Sequence, residues 1–258
     1  RWLQTEWPEL NVFLTSVTEQ WATMSIVGPN SREVISKICD DIDFSHEAFP
    51  FLSFREGNVA GIQARVFRVS FSGELTYEVN VSADYGRRVW EAIMEAGREF
   101  SITPYGTEAM HVLRAEKAFI IIGQDTDGTV TPVDLGLDWL VSSRKDFIGK
   151  RSLSRQDTLR ENRKQLVGLL NDDSTGLLPS GGQIVEGLRS SIPTDTIGHV
   201  TSSYYSAKLG HHFALALVKG GRAHMGEKVY VPLEEGSRIR ATITSPVFYD
   251  PRGNQQNV

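Results

Sequence analysis

The sequence predicts an α+β fold, antiparallel sheets with helices on one face in ferredoxin-like pieces, followed by a small all-β barrel or Greek-key domain. Three observations lead there. Over the first 120 residues, runs with strand alternation exchange with runs of helical period. Near residue 150 the apolar pattern fades into the charged stretch SLSRQDTLRENRKQ. Beyond Lys164 helical period is gone, and short β-rich runs follow one another between Gly, Pro, Ser and Asp. These changes divide the chain into an α+β region over 1–153, a linker over 154–164 and a β-domain over 165–258.

RWLQTEWPEL reads as the tail of an amphipathic helix with no start signal, which suggests a fragment of a longer protein. Residues 11–18 and 22–27 have strand content. GPNSREVISKIC offers Asn30 or Ser31 as a helix cap, with Val34, Ile35 and Ile38 on one face. Residues 62–71 and 77–81 read as a hairpin around the turn Ser72-Gly73-Glu74. Val89, Trp90, Ile93 and Met94 recur at helical spacing, with Gly97 as the stop. A short strand is expected at Ser101–Thr103, then a helix over Glu108–Ala118 capped by Thr107. QLVGLL, QIVEG, IGHVTSS, HFALALV, KVYVPL and IRATITSPVFY supply six strands whose spacing suggests a compact antiparallel barrel or Greek-key domain.

The formal net charge of −5 argues against general nucleic-acid binding, which wants a basic face. The longest apolar run, Ala118–Gly123, is far short of the roughly 18 residues of a membrane span. A single cysteine, Cys39, excludes an intrachain disulfide framework and fits a reducing, cytoplasmic compartment. No G-x-S-x-G elbow, G-x-G-x-x-G loop or Walker A loop occurs. Alternation sends the adjacent His211 and His212 to opposite faces, and DTDG at 125–128 reads as an Asp-Gly turn; no metal site is expected.

FSGELTYEVN, residues 71–80, raises a sharper question. Tyr77, Val79 and Val81 form one apolar face, and Glu78 points the other way with Asn80. Glu78 is either a wet residue on the outside of a sheet or a carboxylate with a ligand to hold.

Residues 111–153 carry Leu113-Arg114-Ala115-Glu116, Gly123-Gln124, Gly136-Leu137-Asp138-Trp139 and Phe147-Ile148-Gly149-Lys150. With GPNS, SFSGELTYEV, GHVTSSYYS and FYDPRG in the same order, the chain resembles the glycine-cleavage T-protein (aminomethyltransferase) family. GQDTDGTVTP and ITPYGTEAMHVLRAEK look most like the C-terminal folate portion of the alpha subunits of heterotetrameric sarcosine oxidases. An iron–sulfur-assembly branch carries a cysteine before its Gly-Gln; KAFIIIGQ has none.

The resemblance implies tetrahydrofolate binding in one-carbon metabolism, with sarcosine-derived carbon captured as 5,10-methylenetetrahydrofolate. Glu78 would hold the pterin, Arg114 a pterin oxygen, and Phe71 would stand on the paired strand where the family has a tyrosine. Tyr249 would match a C-terminal folate-site tyrosine. Each has a plainer reading: solvated acid for Glu78, core packing for Phe71 and Tyr249, an ion pair with Glu116, Asp134 or another acid for Arg114. The family's catalytic Asp would lie upstream of this chain, as would the FAD, FMN and NAD of a complete oxidase, and the expected partners are that enzyme's other subunits. The alternatives are a stand-alone aminomethyltransferase or folate-dependent demethylase, or a T-protein-like scaffold that no longer binds folate.

Overall fold

The computed structural model describes residues 2–172, 176–187, 195–234 and 236–256. The chain divides into two compact units: residues 1–70, 74–104 and 254–258 form the first, residues 71–73 and 105–253 the second.

In the first unit a short helix, α1 (Trp2–Glu6), precedes β1 (Trp21–Val27), α2 (Ser31–Ser36), β2 (Phe54–Val59), β3 (Ile62–Phe67), β4 (Thr76–Ser82) and α3 (Gly86–Ala96). The four strands form one antiparallel sheet in the order β1-β4-β3-β2. Alternation decides what each strand buries. Met24, Ile26, Val59, Ala64, Val66, Tyr77, Val79 and Val81 face Val34 and Ile35 of α2 and Val89 and Ile93 of α3, making a single core. Helices cover that face. On the other, the register lines up Ser25, Glu78, Phe67 and Phe54 in one row and Thr23, Asn80, Arg65 and Glu56 in the next. Cys39 lies at the core's edge, its thiol pushed up to about 11 by burial and then by Asp41, so it is an inert packing residue.

Several local expectations are corrected. Residues 11–18 form no strand; Phe13 and Leu14 are exposed and bury no face against a core. Ser101–Thr103 is not a strand either, because Ser101 turns into the left-handed region at φ 58°. Strand β2 was not expected, since FREGNV carries no apolar alternation; its pairing with β3 supplies the order that its sequence lacks. The start of α2 uses no side-chain cap at Asn30, and Ser31 Oγ donates instead to Leu75 O across the core, 3.1 Å.

The second unit holds α4 (Thr107–Glu116), capped by Gly106 rather than Thr107, and six strands where six were expected: β5 (Lys164–Asn171), β6 (Gln183–Ile184), β7 (Gly198–Ser206), β8 (His211–Lys219), β9 (Lys228–Pro232) and β10 (Arg238–Thr244). Their order is β6-β7-β8-β5-β10-β9, all antiparallel, and one bridge, Val185–Tyr230, links the ends of the series. The continuous run FALALV in β8 is buried on both sides. One side faces Val167, Val200 and Ile243; the other faces Ala115 of α4. A strand buried twice loses its alternation. Within the second unit, residues 150–163 form a short 3-10 turn and loops.

Gly198 opens β7 where a Cβ would overlap the carbonyl oxygen of Leu217 on β8. A backbone atom in a ladder cannot step aside. Gly198→Ala is expected to cost about 1–3 kcal/mol in urea denaturation, the range for overpacking.

Candidate functional site

Glu78 belongs to the first unit, in the middle of β4 and on the helix-free face of the sheet. Its register neighbours are Ser25 on β1 and Phe67 on β3. Phe67 stacks with Phe54, centroids 5.5 Å apart, so an aromatic surface stands beside the carboxylate. Oε1 accepts a hydrogen bond from Asn80 Nδ2 at 3.3 Å, and Oε2 accepts none among the described residues. Among the described residues no cation pairs with it. Arg65, one row away, is taken up by Glu56 at 3.0 Å and lies over the ring of Trp21, 5.0 Å from its centroid. An open groove of about 440 Å³ follows on this face, lined by Trp21, Arg65, Ser82 and Tyr85. The arrangement is a half-buried carboxylate with an unengaged oxygen, next to a flat apolar surface. Chemically it suits a planar ligand presenting N–H donors.

Phe71, Arg114 and Tyr249 all belong to the second unit and converge on the end of α4. Phe71 lies in the loop after β3 rather than on the strand, 40% exposed, its ring parallel to that of Phe119 at 6.5 Å. Gly73 beside it has φ 85°, and a Cβ there would overlap the Lys117 side chain; the loop sits directly on that lysine. Lys117 is itself buried and pairs with Asp250 at 3.0 Å. The backbone N–H groups of Phe248 and Tyr249 donate to Glu116 O at 2.9 and 3.0 Å, which ties Tyr249 to the same turn. Lys208 lies 5.4 Å from the Tyr249 ring centroid. The Glu116 carboxyl accepts from Ser206 Oγ at 2.6 Å, and burial pushes its pKa up.

Arg114 is fully buried, and its guanidinium is engaged within the protein. Nη1 pairs with Asp125 and donates to Phe119 O at 3.0 Å; Nη2 donates to Ser202 Oγ at 2.8 Å and to Tyr204 Oη at 3.4 Å. Its Nε has no partner among the described residues. Asp125 accepts in addition from Ile121 N, Thr201 Oγ1 and Ser202 Oγ, at 2.9, 2.6 and 2.6 Å. Two successive residues of a regular strand could not both reach one carboxylate. A bulge in β7, between Val200 and Ser202, makes it possible. Asp125, Thr201 and Ser202 escaped the sequence reading; only the plain alternative for Arg114, an unspecified acid, pointed toward them. Asp127 forms the expected turn, its Oδ1 accepting from Thr129 N and Oγ1 at 2.7 and 2.6 Å.

A cavity of about 630 Å³ on the second unit is apolar, lined by residues such as Ile120, Val130, Leu135, Leu140 and Ile148, and contains none of the four candidates. Among the described residues no cluster of three or more His, Cys, Asp or Glu is placed to hold a metal, and no helix is long and apolar enough to cross a membrane.

Comparison with known proteins adds the following. Residues 1–145 match the family profile described as GCVT N-terminal domain, and residues 164–250 match the glycine cleavage T-protein C-terminal barrel domain. The chain is 52% identical, over 99% of its length, to sarcosine oxidase subunit alpha of Corynebacterium sp. (strain P-1), but spans only 27% of that relative. It is 30% identical over 96% of its length to the aminomethyltransferase of Thermotoga sp. (strain RQ2), of which it covers 65%. The crystal structure of the glycine cleavage system aminomethyltransferase T from Bartonella henselae superposes with a TM-score of 0.71 at 20% identity, over 88% of this chain and 59% of that one.

Proposed function

Since the chain belongs to the glycine cleavage T-protein family, we propose that it is a tetrahydrofolate-binding segment of a sarcosine oxidase alpha subunit. In that role it supports oxidative demethylation of sarcosine and capture of the released carbon as 5,10-methylenetetrahydrofolate, in concert with the enzyme's other subunits. FAD, FMN and NAD serve the remainder of that enzyme, and no residue described here is assigned to them. The acid next to the reactive folate nitrogens is likewise assigned to no residue of this chain. We also read the six-stranded sheet as a barrel closed at the Val185–Tyr230 bridge, and keep 154–164 as the linker between the two family regions.

The observation that carries the reading is the free oxygen of Glu78 on the helix-free face. A reduced pterin presents a ring N–H beside an exocyclic amino group, and a carboxylate with one oxygen unengaged and the other half-engaged accepts both. Each charge-assisted bond is worth about 1.5–3 kcal/mol. Phe71 and Tyr249, in the second unit, are kept as separate candidates for aromatic contact with folate. Arg114, committed to Asp125, is kept as a candidate of the second unit that acts by holding the turn at 119–125 in place.

The test is calorimetric titration of tetrahydrofolate, under reducing conditions, into the chain and its Glu78→Gln variant. Affinity is expected to fall at least tenfold in the variant, about 1.4 kcal/mol. Equal binding by both would remove Glu78 from the site. Binding by neither would favour the scaffold reading, to which the wholly internal engagement of Arg114 and the missing hydroxyl at Phe71 lend support.

A further inference from the structure

We propose that Thr23 and Asn80 are positioning residues that fix the Glu78 carboxylate for a ligand edge carrying two donors. The inference rests on the assignment of Glu78 as the pterin anchor and adds the selectivity of that anchor.

The amide of Asn80 has a determined orientation. Its Nδ2 lies 3.3 Å from Glu78 Oε1 and 3.5 Å from Glu78 O, a carboxylate and a carbonyl that can only accept. The amino group therefore faces Glu78, and Oδ1 is turned to β1. There Thr23 Oγ1 donates to it at 2.6 Å. Thr23 and Asn80 are direct partners in the β1–β4 ladder, so the sheet register itself holds the hydroxyl opposite the amide. The chain of donors runs one way: Thr23 to Asn80, Asn80 to Glu78. Arg65, the other register partner of Asn80, does not compete, being drawn to Glu56 and Trp21.

The consequence for recognition is specific. Asn80 occupies one lone pair of Oε1 and holds the carboxylate in one orientation, leaving one lone pair on Oε1 and both on Oε2. Two parallel N–H groups are then accepted without reorganisation. The 2-amino-4-oxopteridine edge, N3–H beside the 2-amino group, meets that requirement. A 2,4-dioxo edge, which sets an oxygen beside its N–H, brings an acceptor against an acceptor and is rejected. Orientation of the carboxylate matters only for the ligand that uses both oxygens.

The experiment titrates 6-methyltetrahydropterin and the corresponding 2,4-dioxo tetrahydrolumazine into the chain and its Thr23→Val, Thr23→Ser, Asn80→Ala, Thr23→Val/Asn80→Ala and Glu78→Gln variants. The unsubstituted chain is expected to prefer the pterin at least tenfold. Thr23→Val and Asn80→Ala each weaken the pterin several-fold and leave the lumazine unchanged; Thr23→Ser restores the preference, and Thr23→Val adds nothing to Asn80→Ala. A merely structural role would weaken both ligands alike, and that result overturns the proposal. Pterin binding that Glu78→Gln abolishes but Thr23→Val and Asn80→Ala leave intact overturns the relay alone. No preference in the unsubstituted chain, or equal pterin binding after Glu78→Gln, overturns the anchor together with the relay.

Discussion

Replacement of Asp125 by alanine is expected to destabilise the second unit by about 3–5 kcal/mol, the cost of leaving a buried charge without its partner. Asp125 and Arg114 are both fully buried. Once the carboxylate is gone, the guanidinium retains Phe119 O, Ser202 Oγ and Tyr204 Oη, all neutral, while Nε has no acceptor among the described residues. The hydroxyls of Thr201 and Ser202 lose the oxygen toward which the β7 bulge turns them. Urea denaturation followed by circular dichroism measures the loss. Addition of Arg114→Met should recover part of it, because removing both members of a buried pair is far cheaper than removing one. A cost under 1 kcal/mol for the alanine variant would show that solvent reaches the guanidinium, contrary to its burial.

The same network shows what the sequence could and could not disclose. Alternation in TYEVNV assigns Glu78 to the face opposite Tyr77 and Val79, and the structure has it there, because a strand with one covered face must sort its side chains by period two. The six strands after Lys164 were legible for a related reason: each is short, rich in β-branched or aliphatic residues and bounded by turn formers. The partner of Arg114 was not legible. Asp125 lies eleven positions on in what reads as a polar turn, and its hydroxyl donors come from a strand a further 76 and 77 positions along. Only a bulge brings both hydroxyls to one side, and no pattern in GHVTSSYYS announces it. The strand β2 was hidden because FREGNV owes its conformation to cross-strand pairing with β3 rather than to its own propensities. Residues 11–18 show the converse, strand-like content that stays exposed and enters no ladder. Phe71 was assigned to a strand because the hairpin was drawn too long. β3 ends at Phe67, and the loop beyond it is shaped by the buried Lys117 under Gly73.

Acid stability provides the second large effect, and it centres on Asp134. Its side chain, 4% exposed, meets the 11% exposed Arg163 with Nη2 at 2.7 Å from Oδ2 and Nε at 2.9 Å from Oδ1. Thr131 adds its N–H and hydroxyl at 2.8 and 2.9 Å. Burial alone would raise the pKa of Asp134; Arg163 and Thr131 together outweigh it and hold the carboxyl below its ordinary value. A carboxyl depressed in the folded state contributes stability that is complete above its unfolded pKa, about 3.9, and is lost as pH falls through the folded value. Glu116 has the opposite sign. Burial raises its pKa, so its contribution is complete in acid and is lost as pH rises through its folded value. The backbone of Asp134 matters too, since its carbonyl accepts from Leu166 N at 2.9 Å and Arg222 Nη2 at 2.7 Å, fastening the 129–137 loop to the start of β5. Asp134→Asn keeps those backbone bonds while removing the charge opposite Arg163. Because Arg163 keeps Asp157 at 3.3 Å, the variant is expected to lose about 1.5–3 kcal/mol at pH 7. Its deficit relative to the unsubstituted chain should shrink steadily below about pH 4, as protonation removes the same charge from the unsubstituted chain. Urea midpoints at pH 7, 5, 4 and 3 follow the two curves. A deficit that stays constant down to pH 3 would mean that Asp134 acts through shape and hydrogen bonding, with its charge contributing nothing to the closure of the loop.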